Sequence, residues 1–120
     1  MQKRQFRKLQ IWEKSHSLTL DIYSLSAHFP KSEVFALALQ LRRAASSIPA
    51  NIAEGCVKSD LSFLNHLSIA QGSLEEVKYF LILSSDLKYI SEPEYYGLSA
   101  KCEEIGKMIY SFMNKLKADS

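Results

Sequence analysis

The sequence predicts an all-α fold, an antiparallel up-down-up-down bundle of four helices, and three observations carry the prediction. Four stretches place apolar residues at steps of three and four, the spacing that lines one face of a helix. Short connections built from turn and cap residues separate them, which suits antiparallel neighbours. Nowhere in the 120 residues is there strand-like alternation or an Asn-Gly hairpin signal. The helices are expected at about 8–28, 32–55, 60–90 and 92–117, within a single domain spanning 1–120.

A chain of this length buries roughly two thirds of its unfolded surface in one core. Its 47% hydrophobic content suits a globular protein. No run of about 18 apolar residues exists, so no membrane partner is expected. The opening MQKRQFRKLQIW is basic and lacks the apolar stretch of a secretory signal. Cys56 and Cys102 show no metal or redox spacing, which reads as two free thiols in a reducing cytoplasm.

In the first helix Ile11, Ser15, Leu18, Ile22, Leu25 and Phe29 follow a four-three rhythm. Phe29-Pro30-Lys31-Ser32 forms a turn, with Ser32 as N-cap of the second helix and Glu33 near its positive end. The second helix carries an apolar stripe, Leu37, Leu41, Ala45, Ile48 and Ile52, beside an ordered polar one, Gln40, Arg43, Ser47, Asn51 and Glu54. Pro49 removes a backbone donor and predicts a kink, not an end, because the spacing continues in phase. Gly55 is expected to stop the helix in the usual C-cap position.

Ser59 or Asp60 caps the third helix, whose apolar residues form two seams. Phe63, Leu67, Ala70, Leu74, Val77 and Leu81 make one, and Ile69, Phe80, Leu83, Leu87 and Ile90 the other, about 100° away. An arc this wide exceeds what two neighbours need, and the surplus argues for self-association. Gly72 costs about 1 kcal/mol relative to Ala in a helix interior. A close-packed backbone, with Ala44–Ser47 as the expected neighbour, would compensate. Ser91-Glu92-Pro93-Glu94 starts the fourth helix with a cap, an early proline and a returning carboxylate. Leu98, Cys102, Ile105, Ile109, Phe112 and Leu116 line that helix.

The chemistry of a catalytic site is thin. A di-iron centre needs two Glu-x-x-His motifs, and only Glu13-Lys14-Ser15-His16 fits, so no metal or other cofactor is expected. Ser46, Ser47 and Ser73 lack a nucleophile elbow, and no phosphate-cradling glycine loop exists, so no enzymatic activity is expected. The basic groups Lys3, Arg4, Arg7 and Lys8, with Arg42, Arg43 and Lys58, are candidates for a phosphate-facing patch if the fold gathers them. They are equally the solubilising charge of an ordinary surface. Four or so phosphate contacts from one chain give weak, salt-sensitive binding, so RNA or DNA binding makes physical sense for an oligomer.

Four runs of residues resemble one family. They are Phe6-x-x-Leu9-x-x-Trp12, Phe29-Pro30-x-x-Glu33, Gln40-x-Arg42-Arg43-Ala44-Ala45-x-Ser47-Ile48-x-x-Asn51-Ile52-Ala53-Glu54-Gly55, and Ile69-Ala70-x-Gly72-Ser73-x-x-Glu76. Together they resemble the 23S rRNA-intervening sequence proteins, bacterial four-helix bundles often encoded within ribosomal RNA genes. A related branch is the accessory variability determinant of diversity-generating retroelements, a pentamer that binds nucleic acid and a reverse transcriptase. The resemblance implies a cytoplasmic, ring-shaped homopentamer without enzymatic activity. The reading it supports is nucleic-acid binding through basic groups; the alternative is a protein–protein adaptor, for example for a reverse transcriptase. Gln40, Arg43, Ser47, Asn51, Glu54, Gly72, Ser73 and Glu76 then serve either as a polar network between the second and third helices or as a subunit contact.

Overall fold

The computed structural model describes residues 4–119. A single 3-10 turn, Phe6–Lys8, leads into α1 (Gln10–Ser26), and a second, Lys31–Glu33, lies before α2 (Leu37–Gly55). Then come α3 (Asp60–Asp86) and α4 (Glu92–Asp119), with no strand among the described residues. Each helix packs on two others, in the cycle α1, α2, α3, α4. Cross-helix contacts show that neighbours run antiparallel, since numbers rise along one helix as they fall along the next. Thr19 meets Ala45 and Ser26 meets Arg42; Asn51 meets His66 and Ser47 meets Ser73. Lys78 reaches Glu103, and Lys14 and Asp21 reach Glu104 and Lys101. No described helix is long and apolar enough to cross a membrane.

The four apolar stripes meet in one core. Leu18, Ile22, Leu41, Ile48, Ile52, Phe63, Leu67, Ile105 and Ile109 are fully buried within it. Fully burying a side chain of this kind contributes about 1.5–3 kcal/mol each. Ser15, Thr19, Ser26 and Ser84 are buried too, and each hydroxyl donates to a carbonyl three or four residues back. That is how Ser15 occupies an apolar stripe at no polar cost. Both start signals are present as geometry. Ser59 Oγ accepts from the Ser62 N–H at 3.2 Å. Ser91 and Glu94 cap each other, at 2.8 and 3.2 Å.

The structure corrects the sequence reading at four places. The second helix begins at Leu37, not Ser32: Ala36 departs from helical geometry (φ −121°, ψ −106°), and no side chain caps the turn that holds Ser32. Glu33 keeps its role at the positive end, with its carboxylate accepting from the Leu37 N–H at 3.4 Å. The third helix ends at Asp86. Lys88 then takes φ 64°, in the left-handed region, and turns Ile90 back into the core. Gly55 does not end α2 through a left-handed turn, because its φ is not positive and Cys56 follows in helical geometry. It is a contact residue. A Cβ there would lie 2.6 Å from His66 Cβ and 3.0 Å from Phe63 Cδ1. Gly72, by contrast, has no atom within 4 Å of the place a Cβ would occupy, so Ala44–Ser47 is not its neighbour within this chain. Helix α2 continues unbroken through buried Pro49.

The two ends of the bundle are fastened differently. At one, the Tyr89 hydroxyl donates to Glu33 Oε2 at 2.9 Å, and its ring meets Phe29 at 5.4 Å. This joins the α1–α2 and α3–α4 connections. The same hydrogen bond to the Glu33 carboxylate pushes the Tyr89 hydroxyl above its ordinary pKa. At the other end, Arg4 donates to Asp60 Oδ1 at 2.6 Å and to the Cys56 carbonyl at 3.3 Å, with its guanidinium over Phe63.

Gly55→Ala tests the contact role. Alanine favours a helix by up to about 1 kcal/mol, but here its Cβ overpacks against a rigid Cβ, at a cost of about 1–3 kcal/mol. A lowered midpoint in urea unfolding is expected. A raised one would mean that α2 and α3 can separate there freely.

Candidate functional site

The candidate basic residues divide into two groups. Arg4, Arg7, Lys8 and Lys58 lie at the end of the bundle where α1 and α3 begin and α2 and α4 finish. Lys3 lies outside the described residues. Arg42 and Arg43 sit a dozen or more residues back along α2, about 20 Å away at roughly 1.5 Å per residue. Arg42 is structural: it donates to Ser26 Oγ at 2.7 Å and to the Tyr23 carbonyl at 3.2 Å, and lies over the Tyr23 ring. Arg4 is structural as well, through Asp60 and Cys56.

What remains at that end is accessible. Arg7 is exposed and lies 5.9 Å from the Trp12 ring centroid. That ring is tilted against Phe6 and stacked on His16 at 4.8 Å and 12°. Lys8 is exposed and has no ion-pair partner among the described residues. Helix α4 adds Lys107, Lys115 and Lys117, which sequence reasoning passed over. They lie about a hundred residues from Lys8, and only the up-down course of the bundle brings them to it. The opposite end carries Asp86, Glu92 and Glu94. Lys31 and Lys88 lie at that end as well, and Glu13, Glu54, Asp60 and Asp119 lie at the basic one, so the two ends differ in an excess of bases at one and not in a clean separation of charge.

The polar row on α2 also divides. Ser73 donates to Ser47 Oγ at 2.9 Å across the α2–α3 seam. Asn51 Nδ2 donates to the same oxygen at 3.1 Å and to the Ser47 carbonyl at 2.9 Å. Asn51 Oδ1 faces His66 Nδ1 at 3.0 Å, and His66 Nε2 faces Lys58 Nζ at 3.1 Å. An ammonium can only donate, so Nε2 accepts and Nδ1 carries the proton that Asn51 receives. Glu54 accepts from Lys58 at 3.5 Å. One donor-to-acceptor chain thus runs from Lys58 through His66 and Asn51 to Ser47. His66 is the member that sequence reasoning missed, being a lone histidine with no motif around it. Gln40, Arg43 and Glu76 stand outside the chain, exposed, and their side chains make no hydrogen bond or ion pair among the described residues. Gly72 is exposed as well.

Among the described residues no group of three or more His, Cys, Asp or Glu side chains converges as a metal site would require. Cys56 and Cys102 are unpaired and buried. Burial raises both thiols, Cys102 to about 11, so neither is held as a reactive thiolate.

A family model described as 23S rRNA-intervening sequence protein matches residues 7–111. The chain belongs to that family. The match takes in the α2–α3 seam, Arg7, Lys8 and most of α4. A solved structure from the S23 ribosomal protein family, a protein of unknown function from Bacteroides thetaiotaomicron, is similar with a TM-score of 0.79. It is 28% identical, and the similarity covers 86% of this chain and 97% of that one. No curated protein matches the chain. In this family member, then, the polar seam is a built element of the fold, and the basic end is the part of the polar surface with charges to spare.

Asn51→Leu should lower the melting temperature or change the assembly. The substitution leaves His66 Nδ1 without its acceptor, a loss of about 1 kcal/mol for a half-buried group, equivalent to roughly 4 °C or more in a small domain. Differential scanning calorimetry and sedimentation check it. If neither quantity moves, the chain through Asn51 contributes nothing to the seam.

Proposed function

We propose that this protein is a non-enzymatic, oligomeric bundle that binds structured RNA or DNA through its basic end. The observation that carries the reading is the set of unpaired bases at one end. Arg7, Lys8, Lys107 and Lys115 project from two separate segments at one end, the turn before α1 and helix α4, and none is in an ion pair among the described residues. A polyanion gains from each base it neutralises by releasing a counterion, so unpaired bases gathered at one end suit a phosphate backbone.

Assembly belongs to the same reading. Leu61, Ile69, Tyr79 and Leu87 are 77%, 54%, 56% and 45% exposed. At about 100° per residue they share an arc of roughly 80° on the outer side of α3. Gly72 lies within that arc, with open space at its Cβ position. A second copy of the chain would find there an apolar strip, a point of close approach and the unpaired Gln40, Arg43 and Glu76 alongside. By family resemblance the assembly is a ring-shaped homopentamer in the cytoplasm, and a ring multiplies the basic ends. The apolar strip also suits the second reading, an adaptor that docks on another protein. By the same resemblance that protein is a reverse transcriptase.

Fluorescence anisotropy with a structured RNA and a duplex DNA tests the binding. Affinity should fall by orders of magnitude between about 50 and 200 mM salt, and Arg7→Glu with Lys8→Glu should weaken it further while Arg43→Glu changes it little. No binding at low salt would sink this reading and leave the adaptor. Sedimentation tests the assembly: a particle several times the 13.7 kDa chain is expected, reduced to the monomer by Ile69→Glu. A monomeric wild type would remove the oligomer from the proposal.

A further inference from the structure

The basic end holds an open groove of about 460 Å³ between the start of α1 and the second half of α4. Its floor is apolar: Ile11 is 3% exposed, and Met108 and Phe112 are half-buried against the core. Phe112 is held by an edge-on contact with buried Phe63, at 5.4 Å and 63°. Exposed Lys8, Lys107 and Ser111 complete the lining, with Leu9 and Gln10. Neither lysine is in an ion pair among the described residues.

The groove differs from others of similar size in its charge. A groove of about 430 Å³ is lined by Asp21 and Glu94. Another of about 490 Å³ contains Glu75 and Glu103, and one of about 500 Å³ contains Asp86 and Glu92. Each of these also holds lysine, Lys101, Lys78 with Lys107, and Lys88 respectively, so an anion entering any of them meets carboxylates beside the ammonium groups. The groove at the basic end has no carboxylate in its lining, and its volume falls within the range of about 300–1,000 Å³ usual for ligand clefts. An apolar floor with an aromatic ring, one hydroxyl and two unpaired ammonium groups is a set that matches a base, its polar edge and the phosphates beside it.

We propose that this groove takes one unpaired nucleotide of a single-stranded RNA or DNA segment, the base against Phe112 and Met108 and the flanking phosphates between Lys8 and Lys107. The inference rests on the nucleic-acid reading and sharpens it. The basic end attracts any polyanion, whereas the groove selects for a base that is free to leave a stack. Bulges, loops and single-stranded tails therefore bind more tightly than a continuous duplex.

The experiment uses the full chain with labelled oligo(dT) and oligo(rU) and a duplex of equal length, all at low salt. Ser111→Leu fills the groove from an exposed position, and Ser111→Glu sets a negative charge beside the phosphates; melting curves confirm that both variants fold. Single strands should bind the wild type roughly tenfold or more tighter than duplex. Both variants should lose that preference and keep duplex binding. Equal binding of duplex and single strand by the wild type, or a preference unchanged in both variants, overturns the groove and leaves the basic end as a general phosphate surface. No binding of either nucleic acid overturns the basic end together with the groove. Dodecanoate is added as a competitor; if it binds in the groove and oligonucleotides do not displace it, the occupant is an acyl carboxylate and the inference fails.

Discussion

Everything in this bundle is referred to the close approach of α2 and α3. Where Gly55 passes the side chains of His66 and Phe63, α2 lies nearer to α3 than a Cβ at position 55 would allow. That contact fixes the level of one helix against the other. The hydrogen-bonded chain from Lys58 to Ser47, with Ser73 joining from α3, then fixes the rotation. Apolar faces alone tolerate sliding by a turn, since a four-three stripe looks much the same one turn along. A chain of directional hydrogen bonds does not, because shifting one helix by a turn would strand His66 and Ser73 together. The seam thus supplies the register that the stripe cannot.

The α2–α3 register has consequences at a distance. It places Cys56 and Asp60 where Arg4 can join them, so the segment before α1 is strapped across the end of the bundle. With Arg4 satisfied, the bases beside it are left over. Arg42 is consumed in the same way at the α1–α2 contact, where its fork bridges Ser26 and Tyr23. Two of the four arginines, Arg4 and Arg42, thus use their planar, multiply donating forks in the structure, while Arg7 and Arg43 stay exposed.

Periodicity made the bundle legible, because a stripe is a local property and all four stripes proved to be the buried faces. The caps at Ser59 and Ser91 were legible for the same reason, needing only residues three apart. What the sequence could not tell was which of two uses a residue serves. Gly55 at the end of a helix reads as a turn former, yet it is a contact; Gly72 reads as a contact, yet it faces open space. Ser32 reads as a cap, but Ala36 turns the backbone out of helical geometry first. His66, Lys107 and Lys115 carried no signal of their own. Their partners lie on other helices, and only the assembled register names them.

The open side of α3 bears on how much one chain can do alone. One basic end offers a handful of phosphate contacts and one groove, and the groove admits a single base. Stacking one base contributes about 1–3 kcal/mol, which by itself corresponds to no better than millimolar affinity. Useful binding therefore needs either a longer basic track or several copies held together. The surface gives no longer track, because toward the far end Lys31, Lys88 and Lys101 are interspersed with Asp21, Asp86, Glu92 and Glu94. Repetition is the remaining route, and linking equal sites in one body raises their joint affinity by orders of magnitude without any new contact. In the assembly proposed above, the surface that would hold such copies together is the apolar strip on the outer side of α3, with a glycine bare to solvent within it. Assembly and recognition would then be one design, in which α2 and α3 set the register, α3 repeats the chain and the basic ends act in concert.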